Sequence, residues 1–255
     1  NQKSARVTLQ ERSWFEVDVQ PGMHSFQFFY DENHLEVSID ELEIKGGYLD
    51  TYVVIFHRGD ITVDKPVIYL YPEIATDVEV QVKPNGKILF TYPQLTDGWR
   101  GTAYPNGDLL INGEWYPYLF WEAQAPAIDA NWQEGFALDR SGIVPFLEKT
   151  LNDFGLNSKE QADFITYWAP RMLQSKGCVV HFFQQEECAQ LADLNVLPRP
   201  DHLNRLYILW FPVDDLNDYS YLRPQNIQKI NRLGFDVLEW GGTELTTFPR
   251  KQKEL

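Results

Sequence analysis

Two glutamates stand beside tryptophans at the ends of apolar runs. Glu122 closes the segment 116–122 directly after Trp121, and Glu239 lies just before Trp240 in the segment 235–242. Two carboxylates that flank a bond can act as acid and base or as acid and nucleophile. We therefore predict Glu122 and Glu239 as candidate catalytic residues, and hydrolysis of a glycoside is the reaction that suits them.

The same two segments also have a purely structural interpretation. Side chains alternate along a strand, so each tryptophan points away from the glutamate beside it. Trp121 and Trp240 would then belong to the core, and the glutamates would pair with Arg100 or Arg171 at the ends of their strands. No phosphate loop, metal-ligand cluster or nucleophile motif accompanies them, and the sequence leaves both interpretations open.

Aromatic residues make up 15% of the chain, which suggests a ligand surface. Flat amphipathic rings on a sheet can stack on sugar faces while their polar tips bond hydroxyl groups. We predict a ligand-binding set of Trp121, Trp240, Trp99, Tyr118 and Arg171. An ordinary aromatic core of a β-rich domain would show the same composition.

Other reactive side chains have weaker patterns. Cys178 and His181 lie three residues apart on a predicted strand and so point to opposite faces, which favours a structural histidine. The oxygen-rich run 214–218 lacks the spacing and glycine of a calcium loop, and the five histidines show no zinc-ligand spacing. We predict no metal and no cofactor.

The charge balance restricts the partners. With 22 basic and 37 acidic residues the net charge is −15, which repels nucleic acid and anionic lipid. We expect no nucleic-acid partner, and we expect no membrane span because no apolar run approaches about 20 residues. The composition suits a secreted or periplasmic protein of the cell envelope, with a cytoplasmic location left open. Cys178 and Cys188 can be bridged or free.

Short alternating runs predict an antiparallel N-terminal β region. Four of these runs stand out, at 14–19, 25–30, 35–39 and 52–56. A second set of strands opens with 65–72, which is bounded by prolines. Three Asn-Gly pairs predict two-residue hairpin turns, at Asn85-Gly86, Asn106-Gly107 and Asn112-Gly113.

The apolar period changes to three or four between residues 143 and 173, which predicts a pair of helices. Gly155 is expected to end the first helix, and Ser158 with Gln161 forms a capping-box signature for the second. Pro170 is expected to kink or restart that helix. A third helix is predicted at 224–233, among strands at 178–183, 206–211 and 235–240.

These elements predict an α+β fold with a strand majority: the antiparallel N-terminal β region is followed by a mixed sheet with a few helices. We place the boundary between a β-rich domain, 1–63, and an α+β domain, 64–255.

Five segments, taken in order, resemble a group of uncharacterised bacterial proteins. They are KPVIYLYP at 65–72, the short motifs TYP and GW within 91–99, YPYLFWE at 116–122, FITYWAPRM at 164–172 and GFDVLEWGGTE at 234–244. The resemblance covers about 70% of the chain and implies that residues 65–244 form one unit. It implies no particular activity.

The leading functional prediction is a ligand-binding or accessory module of the bacterial envelope, with a carbohydrate or another protein as its partner. The alternative is a glycosidase-like hydrolase that uses Glu122 and Glu239. A purely structural subunit is the third possibility, which an exposed apolar patch without a pocket would indicate.

Overall fold

The computed structural model describes residues 17–29, 36–52, 54, 60–126, 128 and 130–245. The chain divides into two compact units, Asn1–His57 and Arg58–Leu255. In the first unit, β1 (Gly22–Phe28) pairs antiparallel with β2 (Val37–Ile44). The predicted strands at 14–19 and 52–56 fall partly outside the described residues.

The second unit contains two sheets. Its strands are β3 (Asp60–Tyr71), β4 (Thr76–Pro84), β5 (Lys87–Tyr92), β6 (Trp99–Ala103), β7 (Leu109–Ile111), β8 (Glu114–Tyr116), β9 (Leu119–Pro126), β10 (Phe136–Asp139), β11 (Gly177–Gln184), β12 (Ala192–Leu197), β13 (His202–Val213) and β14 (Asp236–Glu244). Because β3 begins at Asp60, residues 60–63, which we placed in the N-terminal domain, pair with a strand of the second unit. The domain boundary between 63 and 64 itself stays a prediction.

A mixed seven-stranded sheet dominates the unit, in the order β10-β11-β13-β14-β3-β9-β5. Among the described pairs of neighbouring strands in this sheet, only β13 and β14 run parallel. A five-stranded antiparallel sheet, β12-β4-β6-β7-β8, packs on one face and encloses what we call the inter-sheet core. Helices α1 (Ile143–Phe154) and α2 (Ser158–Met172) cover the other face and enclose the helix-side core. The predicted strand-majority α+β fold is confirmed.

The helix pair forms where the apolar period predicts it. Gly155 ends α1 with a left-handed φ of 115°, a conformation that glycine adopts without steric cost. The capping box lies one residue earlier than expected: Asn157 Oδ1 accepts from Glu160 N–H, and the Glu160 carboxylate accepts from Asn157 N–H. The helix continues through Pro170, which lies in its last turn, and ends two residues later at Met172, directly before the C-terminal cap Leu173.

One of the three predicted two-residue Asn-Gly turns is confirmed: Asn112-Gly113 joins β7 to β8 with both φ angles positive, at 52° and 85°. Asn106-Gly107 also lies in a hairpin, between β6 and β7, but that connection is longer and Tyr104 N–H donates to the Asp108 carbonyl across it. Asn85-Gly86 does not form a hairpin, because it carries the chain from β4 in one sheet to β5 in the other.

The physical reason lies in what surrounds Asn85 and Gly86. The Asn85 side-chain amide donates to the Ala189 and Gln190 carbonyls at 3.0 Å each. A Cβ on Gly86 would lie 2.0 Å from the Gln124 carbonyl oxygen of β9. Contacts with distant strands, rather than turn propensity, therefore fix this connection.

The predicted helix at 224–233 is wrong, because this segment has no helical turns. Its polar groups bond to other elements instead of to one another. Ile230 N–H donates to the Phe154 carbonyl, and the Arg232 guanidinium forms a two-pronged pair with Glu160 at 2.7 and 2.9 Å while its Nε donates to Asp236 at 2.7 Å. The segment is a strap that ties α2 to the start of β14.

The two cysteines are free and buried. Cys178 belongs to the helix-side core and Cys188 to the inter-sheet core, on opposite faces of the seven-stranded sheet. Burial raises the pKa of Cys178 to about 12 and raises the pKa of Cys188 as well. A thiolate is the reactive form of cysteine, so both thiols should be inert in the folded protein.

We expect a water-soluble thiol reagent at pH 8 to label neither cysteine until the chain is unfolded. After denaturation without reductant, two thiols per chain should react. Absence of thiols in the denatured, unreduced chain would instead mean that the cysteines are bridged.

Neither α1 nor α2, the helices within the described ranges, is long and apolar enough to cross a bilayer.

Candidate functional site

Glu239 lies in the protein interior. Its carboxylate is 0% exposed and accepts from Arg205 Nε at 2.6 Å and from Trp121 Nε1 at 3.0 Å. Arg205 is itself buried, so the pair is sealed between the two sheets. Glu239 therefore has no surface available to a ligand from solvent.

The structure does not bring Glu122 and Glu239 together. On β9, Trp121 belongs to the inter-sheet core, so its neighbour Glu122 points to the opposite face with Phe120. On β14, Trp240 belongs to the helix-side core, so Glu239 points to the inter-sheet side. The two carboxylates lie on opposite faces of the seven-stranded sheet, and they do not flank a common cleft.

The three tryptophans that we predicted as ligand-binding residues are core residues. Trp121 contacts Glu239 between the sheets, and Trp240 packs against Phe164 of α2 with ring centroids 5.0 Å apart. Trp99 is 2% exposed and donates its indole N–H to the Pro93 carbonyl at 2.8 Å. Their large apolar surface holds the layers together rather than facing solvent.

An irregularity in β3 marks a different site. Val63 and Val67 lie four residues apart on β3, whereas their partners on β9, Ala123 and Phe120, lie three apart. Between these two pairs, β3 therefore contains one more residue than β9, which is the signature of a β-bulge.

The pairing of β3 with its other neighbour, β14, also shows one additional residue in β3. Asp64 and Val67 lie three residues apart, but their β14 partners, Gly242 and Trp240, lie two apart. The bulge thus falls at Lys65, whose φ of 54° is uncommon for a residue with a side chain. Both neighbouring strands accommodate this backbone.

Two local features of the sequence permit the bulge. Pro66 has no N–H to donate to a ladder, so it is tolerated where pairing is interrupted. Gly241 lies beside it, and a Cβ on Gly241 would come within 2.9 Å of Pro66 Cα. A side chain at position 241 would push β14 away from the bulge.

The Lys65 side chain extends over aromatic rings on the helix side of the sheet. Its Nζ lies 5.7 Å from the ring centroids of both Tyr118 and Phe120 and 5.3 Å from that of Tyr167. Burial lowers the pKa of Lys65, an effect that the negative charges of Asp163 and Glu122 oppose. Among the described residues, the ammonium forms no ion pair with a carboxylate.

Asp64 lies next to Lys65 and shares its half-buried surroundings. Burial, together with the negative charges of Glu122 and Glu244, raises the pKa of Asp64 to about 6 against the opposing effect of the Arg171 cation. A carboxyl group with this pKa can hold a proton near neutral pH and release it.

Helix α2 forms the wall of the site. The Arg171 guanidinium carbon lies 3.7 Å from the Tyr167 ring centroid, and Arg171 Nη1 donates to the Tyr167 carbonyl at 2.6 Å. Asp163 accepts a 2.8 Å hydrogen bond from the Tyr69 hydroxyl, and the Tyr69 ring packs edge-on against Tyr118 at 5.5 Å. Stacking fixes the guanidinium plane, and within the described ranges the other donors of Arg171 form no hydrogen bond.

The aromatic surface continues onto the edge strand β5. Phe90 is 54% exposed and packs edge-on against Phe120, with centroids 5.9 Å apart. Tyr92, which is also exposed, packs edge-on against Tyr116 at 5.4 Å. We use the name bulge site for the set Asp64, Lys65, Tyr118, Phe120, Glu122, Tyr167 and Arg171, with Phe90 and Tyr92 as its aromatic extension.

The bulge site combines residues that the sequence predicts with residues that it does not. Glu122, Tyr118 and Arg171 were predicted, whereas the contribution of Asp64 and Lys65 was missed. A signal was present, because four of the five aromatic segments that stand out in the sequence meet here: 65–72, 116–122, 164–172 and 234–244. A proline inside an apolar strand was the second signal, since it indicates a bulge.

The histidine and acidic-loop candidates have structural surroundings. His181 Nδ1 lies 2.9 Å from the Glu134 carbonyl oxygen, His181 Nε2 lies 3.2 Å from Gln225 Nε2, and burial lowers the pKa of the ring. The run 214–218 begins a short 3₁₀ helix that Asp215 caps through Asn217 N–H. Across the described ranges, no group of three or more His, Cys, Asp or Glu side chains is arranged to hold a metal ion.

Comparison with known proteins gives one partial similarity. A 61-residue stretch, 23% of the chain, is 41% identical to an uncharacterized protein from the bglA 3′ region of Butyrivibrio fibrisolvens. The alignment covers 64% of that bacterial protein. No family model and no solved structure matches the chain. The chain is thus similar, over that stretch, to a bacterial protein of uncharacterized activity.

Proposed function

We propose that this chain is a carbohydrate-binding protein of the bacterial cell envelope or of the secreted fraction, and that the bulge site binds the sugar. The observation that supports this most is the arrangement around Lys65. Three aromatic rings and two cations, neither of which forms an ion pair with another described residue, share one face of the sheet beside an exposed aromatic edge.

This combination suits a sugar better than an apolar ligand. A pyranose has an apolar face that stacks on a ring and a rim of hydroxyl groups that require donors and acceptors. Phe90 and Phe120 offer ring surface, while Glu122 and Arg171 offer an acceptor and donors within the same site. An extended sugar polymer would cover both the bulge site and the strand β5.

The location outside the cytoplasm is part of the same proposal. It rests on the acidic, aromatic-rich composition with two cysteines and two methionines. Fractionation of the native bacterium followed by immunodetection tests it, and recovery of the full chain only in the cytoplasmic fraction would contradict it.

The competing functions have less support from the geometry. A hydrolase that uses Glu122 with Glu239 requires both carboxylates in one cleft, and they lie on opposite faces of the sheet. A protein partner would also cover exposed rings such as Phe90 and Tyr92, but it would not need the cations and carboxylates that lie beside them.

Substitution of two rings of the site, the exposed Phe90 and the half-buried Phe120, tests sugar binding. We expect Phe90→Ala and Phe120→Ala each to weaken glycan binding about tenfold, because each removes a stacking surface worth on the order of 1 kcal/mol. A glycan array on the full chain would identify the ligand, and titration calorimetry would measure the affinity of each variant.

Trp115→Ala is the matched control. Trp115 is 60% exposed but lies on β8 in the five-stranded sheet. Its removal should leave affinity unchanged. An array without any bound glycan, or equal losses in all three variants, would count against a sugar site at the bulge.

A further inference from the structure

We propose that the bulge site is catalytic and hydrolyses a glycosidic bond, with Asp64 as the general acid and Glu122 as the nucleophile. The proposal rests on the sugar-binding function above and adds a reaction to it. It replaces the pair Glu122 and Glu239 with two carboxyl groups that share one face.

The strand register places these two groups opposite each other. Val63 pairs with Ala123 across β3 and β9. Counting one residue along each antiparallel strand, Asp64 faces Glu122 immediately before the bulge begins. Val63 and Ala123 point into the inter-sheet core, so Asp64 and Glu122 both point to the helix side.

This position keeps the two side chains close enough for their carboxyl groups to act on one bond. Directly opposed residues of an antiparallel pair have Cβ atoms about 4.5–5.5 Å apart. Glycosidases that retain the anomeric configuration hold their carboxyl groups about 5–5.5 Å apart, whereas inverting enzymes need about 6.5–9.5 Å. Carboxyl groups anchored at this Cβ spacing can reach the shorter separation, and we assign the retaining mechanism to the site on that basis.

The two carboxyl groups differ in their surroundings, which separates their roles. Burial and the charge of Glu122 raise the pKa of Asp64 to about 6, which suits a general acid that must carry a proton near neutral pH. Glu122 interacts with the Lys65 ammonium, which stands over the rings that would carry the sugar. Lys65 and Arg171 act as positioning residues that direct donors towards the substrate.

The reaction proceeds in two balanced steps. Glu122 Oε attacks the anomeric carbon while the Asp64 carboxyl proton passes to the glycosidic oxygen; the C–O bond breaks and the alcohol leaves. The Asp64 carboxylate then takes a proton from water, whose oxygen attacks the same carbon and releases Glu122. The sum is glycoside plus water giving sugar plus alcohol, with neither oxidation nor reduction.

The backbone around Lys65 fits this role. One additional residue in β3 is the feature that directs two consecutive side chains, Asp64 and Lys65, towards the same helix-side surroundings. A regular strand would send them to opposite faces and would leave Glu122 with a single neighbouring group. Bulges are over-represented next to active sites for this reason.

The test uses the full chain and the glycan that it binds on an array. We expect the wild type to hydrolyse that glycan or its aryl glycoside, and Asp64→Asn and Glu122→Gln each to lower kcat by about 10³-fold. Both variants should keep the far-ultraviolet spectrum and bind the glycan within a few fold of wild type. Glu148→Gln, which changes an exposed carboxylate on α1, should keep full activity.

Two further measurements distinguish catalysis from a structural effect. Azide should restore turnover to Glu122→Ala and give a glycosyl azide of inverted configuration, whereas the wild-type product should retain its configuration. The kcat/KM of the wild type should fall as the pH rises through about 6, because Asp64 must be protonated. The groups that face Asp64 are Glu122 of β9, Tyr167 and Arg171 of α2 and Glu244 of β14, besides its neighbour Lys65.

The outcomes separate the two proposals. If the wild type binds a glycan and leaves it intact, catalysis is overturned and the binding function stands. If hydrolysis occurs and Asp64→Asn or Glu122→Gln keeps the wild-type rate, the assignment of residues is overturned. If no glycan binds, both proposals fail together.

Discussion

Replacing Glu239 by glutamine is expected to lower the free energy of unfolding of the second unit by about 3–5 kcal/mol, because it leaves a buried charge without a partner. The Glu239 carboxylate is the counter-ion of Arg205, at 2.6 Å, and both side chains lie between the sheets. Glutamine keeps the side-chain shape and an oxygen that can accept the Trp121 indole N–H, so the loss of stability measures the effect of removing the charge. Arg205 Nη2 already has no hydrogen-bond partner among the described residues, which makes a further loss more costly.

Urea denaturation followed by tryptophan fluorescence measures this effect. Seven of the eight tryptophans lie between residues 99 and 240, so the signal comes mainly from the second unit. Glu122→Gln is the matched control: its half-buried carboxylate lies on the helix side of the sheet near Asp64, and its loss removes a like-charge repulsion. We expect its unfolding midpoint to equal or exceed that of the wild type.

A double substitution tests the cause of the loss. Arg205→Met combined with Glu239→Leu removes both charges and should recover most of the stability, as hydrophobic replacements of buried ion pairs often do. If Glu239→Gln unfolds at the wild-type midpoint, the buried pair contributes nothing. A stable Glu239→Gln that loses activity would return this residue to a functional role.

The position of Glu239 illustrates a limit of sequence reasoning. All of β14 from Asp236 to Thr243 is buried, because a core lies on each face of the sheet. In such a strand, alternation cannot tell which core a side chain enters. The partner that neutralises Glu239 lies 34 residues earlier, on β13, and is brought close only by the parallel pairing of the two strands.

The strands and hairpins that depend on local signals were predictable. Asn112-Gly113 forms its turn because both residues tolerate positive φ and both flanking strands belong to one sheet. The Asn85-Gly86 turn and the helix at 224–233 were wrong because partners from distant elements compete with local propensity. Buried Glu160 and Asp236 require the Arg232 cation, and that requirement decides the path of the strap.

Half of the bulge site was predictable for the same reason. Glu122, Tyr118 and Arg171 stand out as charged or aromatic residues in unusual segments. Asp64 and Lys65 become a site only through the additional residue in β3, and a bulge depends on the register with both neighbouring strands. Pro66 marks its position, but the sequence alone does not tell a bulge from the start of a strand.

Gly242→Ala is expected to destabilise the second unit by about 3 kcal/mol or more, in the upper range for overpacking a core. A Cβ at position 242 would lie 2.4 Å from the Ile208 carbonyl oxygen and 2.7 Å from Trp168 Cζ2. The first contact would push β14 from β13, and the second would lift α2 from the sheet. Gly142→Ala is the matched control, because its Cβ would meet Asp139 at an ordinary 3.4 Å and cost less than about 1 kcal/mol.

The effect of Gly242→Ala should reach the bulge site as well as the fold. Gly242 pairs with Asp64 across β14 and β3, and α2 carries Tyr167 and Arg171. At a temperature where the variant is still folded, a shift of α2 should weaken glycan binding, whereas Gly142→Ala should bind normally. A folded Gly242→Ala with unchanged affinity would show that the strand pair and α2 can separate without disturbing Asp64, and the site would then depend on β3 and β9 alone.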